Sequence, residues 1–226
     1  MNNKSNALII AVVAVVAIAG LSAYAINRND NYGMMDDSSS MMYGDIKESQ
    51  STVSANKDSV DYKMFAGVKG EDYDRMFLAN MIAHHQGAVD MANLALTNAK
   101  HQELKDLATA IVSDQTKEIN DMMMWQKSWG YPESSGEMMI DHSGMGMMDT
   151  NAGMITALKG KTGDEFDKAF LTQMIVHHQS AIDMASTGVT NAYHQEIKDL
   201  TKAIVTAQTK EILQMRQWQK SWGYSN

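Results

Sequence analysis

The chain has 226 residues, a formal net charge of -8 and no cysteine. The charge argues against a nucleic-acid phosphate surface as partner, and the missing thiols exclude disulfides and thiolate metal centres. Against a single proline, Pro132, stand 21 methionines, a composition that points to long uninterrupted helices rich in thioethers.

The first predicted element is hydrophobic. Lys4 precedes an uncharged run from Ala7 to Ile26, and Arg28 and Asp30 come after it. The run has the roughly 20-residue length that spans a bilayer, yet it ends in Ala23-Tyr24-Ala25, a small-x-small pattern suited to signal-peptide cleavage. A signal peptide and a retained membrane anchor over 1–26 both remain open. Either one puts the rest of the chain outside the cytoplasm, in the periplasm or on the outer face of the plasma membrane, where free thiols oxidise. Residues 27–63, rich in Ser, Asn and Asp, read as a flexible tether.

The rest of the chain is organised by a duplication. Residues 71–131 align without gaps with 164–224 at an offset of 93, with 37 of 61 positions identical. MIAHHQGAVDMA recurs as MIVHHQSAIDMA, and both copies close on WQKSWGY. Each copy predicts two helices. In the first copy one runs from Asp72 to about Thr97, with Tyr73, Phe77, Met81, Ala88, Met91 and Ala95 on its apolar face. Asn98 is a plausible stop. The next runs from about Gln102 to Trp129, with Leu104, Leu107, Ile111, Met122, Trp125 and Trp129 on one face, and Gly130 ends it. One hairpin cannot cover so broad an apolar face, but two can. The predicted fold is all-α: a four-helix bundle of hairpins 64–131 and 154–226, joined by a Met/His-rich linker over 132–153 and related by a pseudo-twofold axis.

Polar residues interrupt the predicted core. At 100° per residue, His85 falls at the centre of the first helix's arc and His84 nearer one edge, while Gln115 and Glu118 break the seam of the second helix. Helical rise of about 1.5 Å per residue brings Met81, His85, Gln115 and Glu118 within one turn of each other. The second copy repeats the set with Met174, His177, His178, Gln208, Glu211 and Met215. Glu118 cannot be buried unpaired, so it must meet a histidine, a proton or a metal. A ligand role and a purely structural, register-fixing role are both open for this layer. Asp90 and Asp183 are expected on the outer face, and His101 and His194 in capping or turn roles.

The linker reads EMMIDHSGMGMMD, with Met138, Met139, His142, Met145, Met147 and Met148 in a stretch that offers little core to pack. Thioethers are soft, uncharged ligands that favour Cu(I), and Ag(I) should behave as its surrogate. Met91 and Met122 sit on helices, where packing is an equally good explanation.

The HHQxAxDMA block, with the QTKEI and WQKSWG blocks downstream, resembles the bacterial domain-of-unknown-function family numbered 305, and both repeats share it. That resemblance implies a ferritin-like helical fold. Within the family the chain is similar to tandem-domain periplasmic copper-binding proteins of the CopM type, associated with copper resistance. Carried across, the family blocks fall on Met81, His84, His85, Met91, Glu118 and Met122, and on Met174, His177, His178, Met184, Glu211 and Met215.

The expected function is therefore extracytoplasmic binding of copper, as Cu(I), for buffering, resistance or delivery, with the metal ion and a periplasmic copper donor or acceptor protein as partners. The membrane joins them if the N-terminal segment is retained. Two alternatives stand beside this: a ferritin-like di-iron oxidase, for which the chain has no Glu-x-x-His, and a metal-free helical interaction module. No nucleophile–base constellation or Gly-rich phosphate loop is present, so no catalytic activity is expected.

Overall fold

The computed structural model describes residues 53–132 and 143–224, with side chains from residue 150 onward in the second stretch. The predicted signal or anchor and most of the tether lie outside the described residues. The chain divides into a unit Met1–Ser49 and a unit Gln50–Asn226, and the helices among the described residues belong to the second.

This unit is helical, and two isolated parallel bridges, Gly70 with Ala192 and Ala99 with Gly163, are the extended pairings among the described residues. Short α1 (Val60–Ala66) starts at Ser59, whose hydroxyl accepts from the Tyr62 amide at 3.0 Å. Helix α2 (Glu71–Asn98) opens with Glu71, Asp72 and Asp74 in its first turn, where the helix dipole favours acid. Helix α3 (Gln102–Ser128) stops at Trp129, and Gly130 takes the left-handed conformation (φ 66°) that turns the chain. Helix α4 (Ser143–Leu158) comes next, then α5 (Gly163–Ala185), α6 (Gly188–Asn191) and α7 (Gln195–Ser221). No helix among the described residues is long and apolar enough to cross a membrane.

The repeat frame holds, with two departures. The linker from Ser143 onward is helix rather than loose chain, and α4 packs along α2. In the second copy the first helix is interrupted at Ser186-Thr187 and resumes as α6. The break is accompanied by a swap of volumes: Ala95 and Ala108 of the first copy are Gly188 and Thr201 in the second. A Cβ on Gly188 would stand 2.3 Å from the Thr201 side chain.

Hairpins α2/α3 and α5–α7 pack through α2 and α5. Their apolar faces form two half-cores, each drawn from both copies. One contains Ile111, Phe166 and Phe170 with Met91, Met174 and Met215, and the other Tyr73, Phe77 and Leu78 with Met81, Met122 and Met184. Trp125 and Trp129, expected to face inward, are only half-buried and stack on each other with ring centroids 5.9 Å apart.

Cross-repeat clasps lock the ends. Asp74 on α2 accepts from the amides of Tyr193 and His194 (3.0 Å each) and pairs with His194 Nδ1 at 2.7 Å, so it caps the N-terminus of α7 in the other copy. Asp167 on α5 does the same for α3, taking the Lys100 and His101 amides and His101 Nδ1. Each histidine also stacks flat on a tryptophan of the opposite repeat, His101 on Trp222 and His194 on Trp129. The capping expectation for His101 and His194 thus meets a fuller answer: the buried Asp74 and Asp167 supply the cap, and the WQKSWGY blocks supply the ring beneath it.

Candidate metal centre

Between the two half-cores lies a waist of polar side chains. His84, His85, His177 and His178 are 2%, 0%, 1% and 0% exposed. Contrary to its predicted place at the margin, His84 sits where the repeats meet, and its ring centroid is 3.7 Å from that of His177. The helical wheel misplaced it because a wheel sees one helix. The edge of the α2 arc is the side turned to α5, so the inter-repeat contact makes it central.

The neighbouring histidines turn to their own hairpins. His85 Nε2 is 2.7 Å from Glu118 Oε2, and His178 Nε2 is 2.6 Å from Glu211 Oε2, the latter without hydrogen-bond alignment. The glutamates keep 25% and 23% of their side chains in solvent, which spares them full desolvation. His84 and His85 rings lie 6.3 Å apart, as do His177 and His178. All four imidazoles therefore occupy one layer, with Gln115 and Gln208 beside them, 5% and 4% exposed.

The layer is poorly satisfied. His84 Nδ1, His85 Nδ1, both ring nitrogens of His177 and the carbonyl oxygens of Gln115 and Gln208 have no hydrogen-bond partner. An unmade buried hydrogen bond costs about 1–3 kcal/mol, so this much orphaned polarity at the centre of a fold is expensive. Burial, reinforced by the surrounding imidazoles, holds His84 and His177 well below the usual imidazole pKa. Both rings are then neutral and keep an sp² nitrogen lone pair for a ligand.

The structure divides the predicted ligand set. His84 with His177, His85 with Glu118 and His178 with Glu211 are brought together. Met81, Met122 and Met184 share one half-core, and Met91, Met174 and Met215 the other, all at 0% exposure. Met138, Met139 and His142 lie outside the described residues. Met145, Met147 and Met148 fall in α4, with side chains outside the described set. Among the described residues no three of His, Cys, Asp and Glu converge as a metal site.

Asp183 departs from expectation. It is 2% exposed rather than outward, because the chain before α1 lies over it and the Asn56 amide donates to its carboxylate at 2.7 Å. Its first-copy equivalent, Asp90, is exposed as predicted. Periodicity could not show which copy would be covered.

Comparison with known proteins decides the family. The family model described as "Domain of unknown function (DUF305)" matches residues 30–219. The chain belongs to the DUF305 family. Among solved structures, this DUF305 chain is similar to CopM in its Cu(II)-bound form, with 41% identity, a TM-score of 0.56 and coverage of 66% of this chain and 97% of that one. CopM in its Cu(I)-bound form matches at 37% identity and TM-score 0.53, over 66% of this chain and 96% of that one. A DUF305 protein of Streptomyces coelicolor, described as secreted, matches at 25% identity and TM-score 0.59, over 66% of this chain and 93% of that one. No curated protein matches the chain.

Proposed function

We propose that this DUF305 protein is an extracytoplasmic copper-binding protein that buffers Cu(I) or passes it on, and takes Ag(I) in its place. The observation that carries the reading is the buried waist, where neutral, mutually facing His84 and His177 have lone pairs, and His84 Nδ1 and both ring nitrogens of His177 lack a hydrogen-bond partner. Soft d¹⁰ cations accept two such nitrogens, and pay less than other ions for leaving water. Similarity to CopM, solved with Cu(II), Cu(I) and Ag, supports the same chemistry. The Met/His linker, Met138 to Met148, is read as the first capture site and the waist as the store.

The secreted Streptomyces relative supports export, with residues 1–26 as signal or anchor. The two hairpins are read as a ferritin-like four-helix bundle without the carboxylate set of a di-iron oxidase, since Glu118 and Glu211 are each engaged by a histidine. We infer no catalytic activity; the partners are the metal and a donor or acceptor protein.

Titration of the full chain with Cu(I) against a chromophoric chelator tests this. Micromolar or tighter binding is expected, weakened at least tenfold in His84→Ala/His177→Ala. A chain that cannot compete at micromolar metal refutes the proposal.

A further inference from the structure

The waist histidines are sealed, so a cation needs a way in. On either side of the layer lie the apolar half-cores. Over α2 lies α4, anchored where the Asn151 amide donates to the Ala83 carbonyl at 3.1 Å, against a Gly87 with no room for a Cβ. Over α5 lies the chain around α1, held by Ser180 donating to Asp61 and Gln179 to the Ser54 carbonyl. Among the described residues, α3 and α7 pack less closely on each other than α2 packs on α3 or α5, or α5 on α7. Between them stand Glu118 and Glu211, each with one end on a waist imidazole and the other in water.

We propose that the margin between α3 and α7, marked by Asp114, Glu118 and Glu211, is the entry port for a soft monovalent cation. The two glutamates there hand the ion from solvent past His85 and His178 to the His84–His177 pair. The port rests on copper binding as the function of the waist, and it adds a residue, Asp114, that has no place in the ligand set.

Exposed Asp114 precedes Glu118 by one helical turn, and its carboxyl is held above its ordinary value by burial first, then by the charges of Glu118 and of Glu211 from the other repeat. Asp114 thus feels the charge of both glutamates on the side of the waist where Glu118 and Glu211 reach water. An independent feature points inward from them. His178 is fully buried, neither ring nitrogen has a hydrogen-bond partner, and its Nε2 lies 2.6 Å from Glu211 Oε2. It is a buried nitrogen donor that faces the Glu211 carboxylate without a hydrogen bond to it. A cation arriving at Glu211 frees His178 from that contact and gains a nitrogen donor further in. The second copy has Ala207 where the first has Asp114, so the port's outer charge comes from one side only.

Stopped-flow transfer of Cu(I) from a weak chromophoric chelator to the full chain tests the port, read on the kinetic phase that His84→Ala/His177→Ala lacks. Carboxylate attraction is screened by salt. Asp114→Lys should slow that phase about tenfold at low ionic strength and much less at high salt. Asp199→Lys, the same charge change farther along α7, should load like the parent. Glu118→Gln/Glu211→Gln should load slowly at any salt; if that double variant does not fold, Asp114→Lys decides alone. Equal rates for Asp114→Lys, Asp199→Lys and the parent overturn the port and leave copper binding standing. A parent chain that draws no Cu(I) from the chelator overturns the copper reading, and the port with it.

Discussion

His84 and His177 are neutral because burial penalises their charged forms, and the surrounding imidazoles add to the penalty. Burial also sets the sign of the pH response. Their folded pKa lies below the usual 6.5, so just below that pH the unfolded chain binds protons that the folded chain refuses. Stability is then complete above about pH 6.5 and lost as pH falls through and below it. Urea midpoints should drop between pH 7.5 and pH 5, and more gently in His84→Ala/His177→Ala. An identical pH slope in that variant contradicts the account. Asp74 and Asp167 act at the same scale but by hydrogen bonding. Each satisfies two backbone amides and an imidazole of the other repeat. Asp74→Ala should cost about 2–4 kcal/mol in urea unfolding, since it strands buried donors. Exposed Asp72→Ala should cost under about 0.5 kcal/mol. Nothing in the residue types separates Asp74 from its neighbours Asp72 and Glu71 in sequence, because the partner that distinguishes it is 120 positions away.

At the level of elements, the duplicated helices differ where one pair of side chains has traded volume. Ala95 against Ala108 leaves α2 unbroken, while Gly188 against Thr201 accompanies the break before α6. Gly188→Ala alone should destabilise by about 1–3 kcal/mol through overpacking on Thr201. Adding Thr201→Ala should recover most of the loss, because the pair then matches the first copy. Denaturant unfolding of the two singles and the double measures the coupling, and additive losses would refute it. Helix bounds of α2 and α3 were legible to within a residue or so, from caps, glycine stops and period. The interruption of α5 was not, since it depends on a contact between helices. Nor was α4, whose Gly- and Met-rich sequence reads as loose chain; it is helical where it lies along α2, with Asn151 on the Ala83 carbonyl.

At the scale of the whole molecule, neither repeat owns a core. Each half-core is built from both copies, and each clasp joins an aspartate and a tryptophan of one repeat to a histidine of the other. The unit should therefore unfold in one transition, with helix loss followed by circular dichroism and tryptophan fluorescence coinciding. Residues 64–131 alone should stay largely unfolded, and a stable isolated hairpin would contradict the shared core.

By itself the sequence determined the all-α class, the two hairpins, the ends of the first-copy helices and the nearness of His85 to Glu118. These come from local periodicity, capping and the rule that a buried acid needs a partner, all of which act over a few turns. Tertiary structure decided that His84 and His177 are the pair at the centre, that Asp74 and Asp167 tie the copies together, and that Asp183 is covered. Each of those depends on which face of one repeat meets the other, and two helices packed face to face carry no trace of that pairing in their separate periodicities.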